Sequence, residues 1–174
     1  GLELNALCNI SLTISEYMDF ESAQKYLESF VSYEDFLKIP YNERHFDLQR
    51  LKNFLADYGV DYSTLKFVHV AGSKGKGSIA KMVADYLLLA GFKVGLYMSP
   101  HIVDVRERIC LNGAMIAHED FVELVADLKK YIDGREKCEL TYFELLTVVA
   151  LKYFVDKGVS WAVLEVGLGG RLDA

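Results

Sequence analysis

Residues 72–78, Gly-Ser-Lys-Gly-Lys-Gly-Ser, constrain this chain more than any other stretch. The run Phe67-Val68-His69-Val70-Ala71 leads into them and reads as a short apolar strand. A segment of helical periodicity follows, with Ile79, Met82, Val83, Tyr86, Leu87 and Ala90 on one face and Gly91 as its stop. A strand, a glycine-rich turn and a helix in succession predict a turn built for polyphosphate. Glycines let the backbone approach an anion closely, several N–H groups point at it, and the helix start adds partial positive charge. In that setting Lys76 reaches the terminal phosphates, and the hydroxyl of Ser78 or Ser73 can contact Mg2+. The spacing departs from the common Gly-x-x-x-x-Gly-Lys-[Ser/Thr] loop: Val70 stands five residues before Gly75, and Gly77 intervenes between Lys76 and Ser78. The competing possibility is a flexible turn with solvated lysines. A strand before and a helix after distinguish the two.

Beyond residue 66, strands and helices alternate. Residues 93–98 form a second apolar strand that ends in Ser99-Pro100-His101. Residues 106–115 contain Asn112-Gly113, a strong hairpin signal, and predict a small antiparallel excursion. Phe121, Leu124, Val125, Leu128 and Ile132 recur at helical spacing. Thr141-Tyr142-Phe143-Glu144 has capping-box spacing and opens a helix through Asp156, which Gly158 terminates. The last strand, residues 161–166, runs into Gly167-Leu168-Gly169-Gly170-Arg171. Near-continuous apolar strands separated by helices predict an α/β fold, a parallel sheet with flanking helices on both faces. The first sixty residues read as helices instead. Tyr17, Tyr26, Leu27 and Phe30 sit among charges over residues 15–30, Ser32 caps a turn carrying Phe36 and Leu37, and Pro40 breaks it. Asp47 then caps a helix with Leu48, Leu51, Leu55 and Tyr58 at helical spacing, stopped by Gly59.

In a parallel sheet every strand ends at one edge, and ligands collect outside those carboxyl ends. Residues 72–78, 99–101 and 165–171 are therefore expected to converge. Glu165 lies in the apolar run Trp161-Ala162-Val163-Leu164-Glu165-Val166, where an unpaired carboxylate is costly to bury. A divalent cation facing the phosphate loop offsets that cost, and so does an ion pair with Arg171 or Lys76. Arg106 and Arg108, flanking Glu107, suit a clamp for an anionic substrate or a plain exposed charge run. His101, after a proline in a loop, is a site candidate that would be equally at home in solvent. His45, His69 and His118 show no ligand spacing, and Trp161 reads as core.

Composition excludes several classes. With 25 Asp and Glu against 19 Lys and Arg, the net charge of −6 argues against a nucleic-acid coat or a membrane-surface binder. No apolar run approaches the roughly 18 residues that span a bilayer. Residues 1–10 carry Glu3 and no basic start, so they do not resemble a signal peptide. Cys8, Cys110 and Cys138 lack Cys-x-x-Cys spacing, which signals neither a disulfide framework nor a zinc site. The expected setting is reduced and cytoplasmic. Taken alone, the 174 residues suit one domain, with 52% hydrophobic residues to fill its core.

Together these motifs resemble the folylpolyglutamate synthase/dihydrofolate synthase family, a branch of the Mur ligase superfamily. Residues 69–78 look like that branch's His-Val-Ala-Gly-Thr-Asn-Gly-Lys-Gly-Ser loop, inserted glycine included. Gly95-Leu96-Tyr97-Met98-Ser99-Pro100-His101 is similar to its Gly-Leu-Tyr-Thr-Ser-Pro-His, and Arg106-Glu107-Arg108-Ile109 with Asn112-Gly113 to the mobile loop and hairpin that follow. Leu140-Thr141-Tyr142-Phe143-Glu144 resembles Leu-Thr-Phe-Phe-Glu, and residues 164–174 match the family signature almost letter for letter. Ser73, Lys74 and Met98 depart from the pattern, replacing a threonine, an asparagine and a polar residue. The likeness spans residues 47–174 and leaves little on residues 1–46.

The resemblance implies an N-terminal helical segment over residues 1–46. Over residues 47–174 it implies a P-loop-containing Mur-ligase central ATPase domain, incomplete in this chain. The family's chains are far longer, so an unpaired sheet edge is expected here, and beyond Ala174 a further histidine metal ligand and a glutamate-binding domain. The implied activity is an ATP-dependent amide ligase, inactive as this fragment alone. ATP phosphorylates a substrate carboxylate, and the amine of L-glutamate attacks the acyl phosphate. Gly72, Ser73, Lys74, Gly75, Lys76, Gly77 and Ser78 would bind ATP, and Ser99 and Glu165 would ligate Mg2+, with Lys76 and Glu165 catalytic. Asp47, Arg50, His101, Arg108, Thr141, Phe143, Glu144, Arg171 and Asp173 would contact folate or dihydropteroate. The full-length protein would be a monomer with no nucleic-acid or membrane partner. Two alternatives stand beside it: a nucleotide-binding module without turnover, and a Mur-type cell-wall ligase, which Gly77 and residues 141–144 disfavour.

Overall fold

The computed structural model describes residues 18–30 and 48–167. Cys8, the beginning of the first helix, the Ser32 turn, the Pro40 break, the Asp47 cap and the positions of Arg171 and Asp173 lie outside the described residues. In chain order the elements are helix α1 (Phe20–Glu28), helix α2 (Leu48–Asp57), strand β1 (Lys66–Val70), helix α3 (Lys76–Leu89) and strands β2 (Val94–Tyr97), β3 (Ile109–Leu111) and β4 (Ala114–Met115). Helix α4 (His118–Asp133), helix α5 (Tyr142–Asp156) and strand β5 (Trp161–Glu165) follow.

The strands assemble in the order β1-β5-β2-β3-β4. Strands β1, β5 and β2 run parallel, with Val68 and Leu96 both level with Val163. The Asn112-Gly113 signal does make a hairpin, with Asn112 at φ 49° and Gly113 at φ 84°. It is the small antiparallel excursion expected, and it is joined to the main sheet. Strand β3 pairs antiparallel with β2, Leu96 opposite Cys110, so the sheet is mixed rather than wholly parallel. Placing β5 between β1 and β2 puts Glu165 level with Val70, the last strand residue before the glycine-rich loop.

Each face of the sheet has its own core. On one side Val70, Val94, Leu96, Cys110 and Val163 meet Ala80 and Ala84 of α3. On the other, Tyr97, Ala162 and Leu164 meet α5, with α4, α2 and α1 packed around it. Helix α1 is capped by Asp19, which accepts the Ser22 N–H at 2.8 Å, and it buries Ala23 and Leu27 in this second core. Helix α5 lies so close to β2 that a Cβ on Gly95 would fall 2.6 Å from the Phe154 ring. Only glycine fits there.

Helix α3 departs from the expected face. Ile79, Met82 and Tyr86 are 52%, 69% and 74% exposed, and Ala90 is exposed too, while Ala80 and Ala84 are buried. Val83 and Leu87 are the expected members that pack on the sheet-side core. The helix is apolar around much of its circumference, and small residues allow the closest approach to the sheet. Periodicity of large side chains therefore pointed to the wrong stripe. Among the described residues, no helix is long and apolar enough to cross a membrane.

Candidate active site

The glycine-rich loop of residues 72–78 leaves β1 at Val70 and enters α3 through Gly75, whose φ of 73° is left-handed and suits a residue without a Cβ. Gly75 supplies no side-chain cap, so the first-turn N–H groups keep the free valences that an anion takes up. The stem of Lys76 folds back toward Gly72, its Cγ 3.8 Å from where a Cβ would stand. Ser73 and Lys74 are exposed on the loop.

Glu165 faces this loop from the end of β5. Its Oε2 accepts the Ser99 N–H at 3.1 Å, which is the contact found in place of an ion pair with Lys76. A Cβ on Gly77 would stand 3.4 Å from Oε2 and 3.6 Å from Oε1. The inserted glycine therefore leaves room for a carboxylate directly against the start of α3. Met98, the departure beside Ser99, turns into the α3-side core. Among the described residues no group of three or more His, Cys, Asp or Glu side chains converges as a metal cage. Glu165 adjoins the hydroxyl-bearing Ser99 through the Ser99 N–H, and both residues carry hard-oxygen donors. That fits Mg2+, which keeps several waters and takes phosphate oxygens for its remaining ligands.

The loop from Ser99 to Arg108 builds the neighbouring wall. Arg108 Nε donates to His101 Nδ1 at 2.8 Å, and its guanidinium lies 5.9 Å over the Tyr142 ring. Burial first, and the Arg108 charge second, hold the His101 pKa below the ordinary histidine value. Because Nδ1 accepts from Arg108, the ring proton sits on Nε2. Asp104 forms a capping box with Glu107 at the short turn Val105–Arg108, and Arg106 forks onto Asp104 at 2.7–3.2 Å.

A third cluster lies at the start of α5. Thr141 and Glu144 make the predicted capping box, and Arg50 of α2 donates to both Glu144 oxygens at 2.9 and 3.0 Å. The Phe143 ring stands 5.9 Å from Tyr97, the last residue of β2. Residues 72–78, Ser99 and Glu165 thus share the carboxyl edge of the sheet, and His101 with Arg108 lines the loop beside them. Arg50, Thr141 and Glu144 are bound to one another. Two contributors, Tyr142 and Glu107, lay inside segments expected at the site without being singled out for the contacts they make. Nothing local marks the stacking of Tyr142 under Arg108, whereas Asp104-Val105-Arg106-Glu107 carries capping-box spacing that could have given Glu107 its role.

No protein-family model matches the chain. Over 140 residues it is 44% identical to a probable bifunctional folylpolyglutamate synthase/dihydropteroate synthase of Haloferax volcanii, covering 74% of this chain and 17% of that protein. It superposes on a folylpolyglutamate synthase solved with AMPPCP and folate at a TM-score of 0.76, with 32% identity over 90% of this chain and 37% of that one. A bifunctional folylpolyglutamate synthase/dihydrofolate synthase with Mn, AMPPNP and L-glutamate bound gives a TM-score of 0.71 and 32% identity over 91% of this chain. The chain belongs to the folylpolyglutamate synthase/dihydrofolate synthase family. It spans 17% of the Haloferax relative and 37% and 35% of the two synthases of known structure.

Proposed function

We propose that this chain supplies the ATP-binding part of an ATP-dependent amide ligase that adds L-glutamate to folate or dihydropteroate through an acyl phosphate. The observation that carries the proposal is the placement of Glu165, held by the Ser99 N–H and set against Gly77 at the uncapped start of α3. Loop N–H groups and Lys76 bind the β- and γ-phosphates. An oxygen of the acceptor carboxylate attacks the γ-phosphorus as the bond to the β-phosphate oxygen breaks, and ADP leaves. The amine of L-glutamate then attacks the acyl carbon, loses its proton, and expels phosphate. Glu165 and the Ser99 hydroxyl would hold Mg2+, which when bound neutralises phosphate charge. Such chemistry needs positioning and charge compensation more than a protein nucleophile.

His101, through its Nε2–H, and Arg108 would contact the acceptor, Phe143 would pack against it, and Asp47, Arg50, Thr141, Glu144, Arg171 and Asp173 would border its site. Residues 47–174 would form the ATP-binding unit and residues 1–46 a helical segment, although α1 shares the core. The protein would be monomeric at full length, cytoplasmic and without nucleic-acid partners, in keeping with net charge −6 and the free thiols of Cys110 and Cys138. The chain covers only about a third of the solved synthases, which favours a second reading for these 174 residues alone: nucleotide binding without turnover. Titration of AMPPNP beside an assay for ADP release, with glutamate and either acceptor, separates the two. Binding without turnover assigns the isolated chain to the module; absence of binding contradicts both.

A further inference from the structure

We propose that Glu107 is the positioning residue of this site, setting the path of the loop that carries Ser99, His101 and Arg108 while touching neither nucleotide nor acceptor. The proposal rests on the ligase reading for what the loop serves. The loop leaves β2 beside Ser99, whose N–H meets Glu165, and returns through Arg108, whose guanidinium meets His101. Between those ends, the successive N–H groups of Ile102, Val103 and Asp104 all converge on one carboxylate. Glu107 Oε2 accepts from Ile102 at 2.8 Å, and Oε1 accepts from Val103 at 3.0 Å and Asp104 at 2.9 Å. Convergent backbone N–H groups of this kind form a nest for an anion, filled here by the protein's own side chain. These N–H groups also hold the Glu107 pKa below the ordinary carboxylate value, so the anion persists through neutral pH.

Capping the turn Val105–Arg108 needs only the bond from Asp104. The bonds from Ile102 and Val103 lie outside that turn and have another consequence. They fix the backbone N–H groups on the carboxylate while Ile102 and Val103 themselves stay 91% and 87% exposed. The same fold of the chain brings His101 within reach of Arg108 and fixes the approach of Ser99 to Glu165. Glu107 therefore acts on the nucleotide only through the Ser99 end, where a metal-dependent contribution is expected, and not through residues 72–78.

The test uses the 174-residue chain and its Glu107→Gln and Glu107→Asp variants. Amide exchange is followed at residues 102–104 and in α5, and AMPPNP affinity is measured with Mg2+ and with EDTA. Glu107→Gln loses the charge and one acceptor oxygen. It should speed exchange at the three loop amides about tenfold or more, leaving α5 protection intact. The gain in AMPPNP affinity that Mg2+ brings should fall several-fold, with the EDTA value unchanged within about twofold. Glu107→Asp, which keeps the charge on a shorter stem, should recover part of both effects. A Glu107→Gln chain whose loop amides are freed but whose Mg2+ gain is unchanged overturns the proposal, as does unchanged exchange. A wild-type chain that binds no AMPPNP under either condition overturns the ligase reading itself, and the positioning role with it.

Discussion

Replacing Gly77 with alanine separates folding from ligand binding in one substitution. Gly77 is the second residue of α3, and the nearest atoms to a Cβ there belong to the Glu165 carboxylate, at 3.4, 3.6 and 3.8 Å from Oε2, Oε1 and Cδ. Those are ordinary van der Waals separations, so the fold accepts the methyl. Alanine in place of glycine within a helix is worth up to about 1 kcal/mol, and thermal stability should rise or stay level. The methyl nevertheless fills the space between the carboxylate and the helix start, where the proposed site takes phosphate and cation. Losing one charge-assisted contact costs about 1.5–3 kcal/mol, and at about 1.4 kcal/mol per tenfold the affinity for AMPPNP with Mg2+ should drop roughly ten- to hundredfold. Calorimetric titration with parallel thermal unfolding reads both quantities. Unchanged affinity would refute the assignment of Gly77 to the site, and so would a lowered melting temperature with affinity preserved.

Three more predictions follow from the packing and the charges. Gly95→Ala forces a methyl into the Phe154 ring at 2.6 Å and should destabilise the chain by about 1–3 kcal/mol or more in urea unfolding. Arg50→Ala strips the half-buried Glu144 of its cation; with side-chain exposures of 24% and 13%, the loss should be about 1–3 kcal/mol, below that of a fully buried pair, and Arg50→Ala/Glu144→Gln should recover part of it. The pKa values of Glu107 and Asp104 lie below their ordinary 4.5 and 3.8, because backbone N–H groups bind the first and Arg106 the second. A lowered folded pKa gives stability that is complete above the ordinary value and lost as pH falls through the folded one. Protection of the loop amides should therefore hold at pH 5 and disappear on acidification below about pH 4, while a loop that opens between pH 7 and 5 contradicts the assignment.

The legible features were local ones. Gly-Ser-Lys-Gly-Lys-Gly-Ser, the Asn112-Gly113 turn and the Thr141 to Glu144 capping box each encode their geometry within a few residues, and each formed as expected. Strand order was not legible, because the seat of β5 between β1 and β2 is decided by contacts across the whole chain. The Arg50–Glu144 fork joins residues 94 apart and leaves no local trace. On α3 the large apolar residues advertised a face that the small Ala80 and Ala84 took instead. Glu107 was in view but read as part of a charge run, since its partners are backbone N–H groups that no side-chain pattern records.

The claim that Glu165 and the phosphate loop form one nucleotide–metal site is tested most directly by titrating Mn2+ into the chain and following the free ion by electron paramagnetic resonance. With AMPPNP present the free-ion signal should fall in proportion to chain concentration, and that loss should be largely abolished in Glu165→Gln. Mn2+ uptake that is absent in the wild-type chain, or equal in Glu165→Gln, would contradict the account.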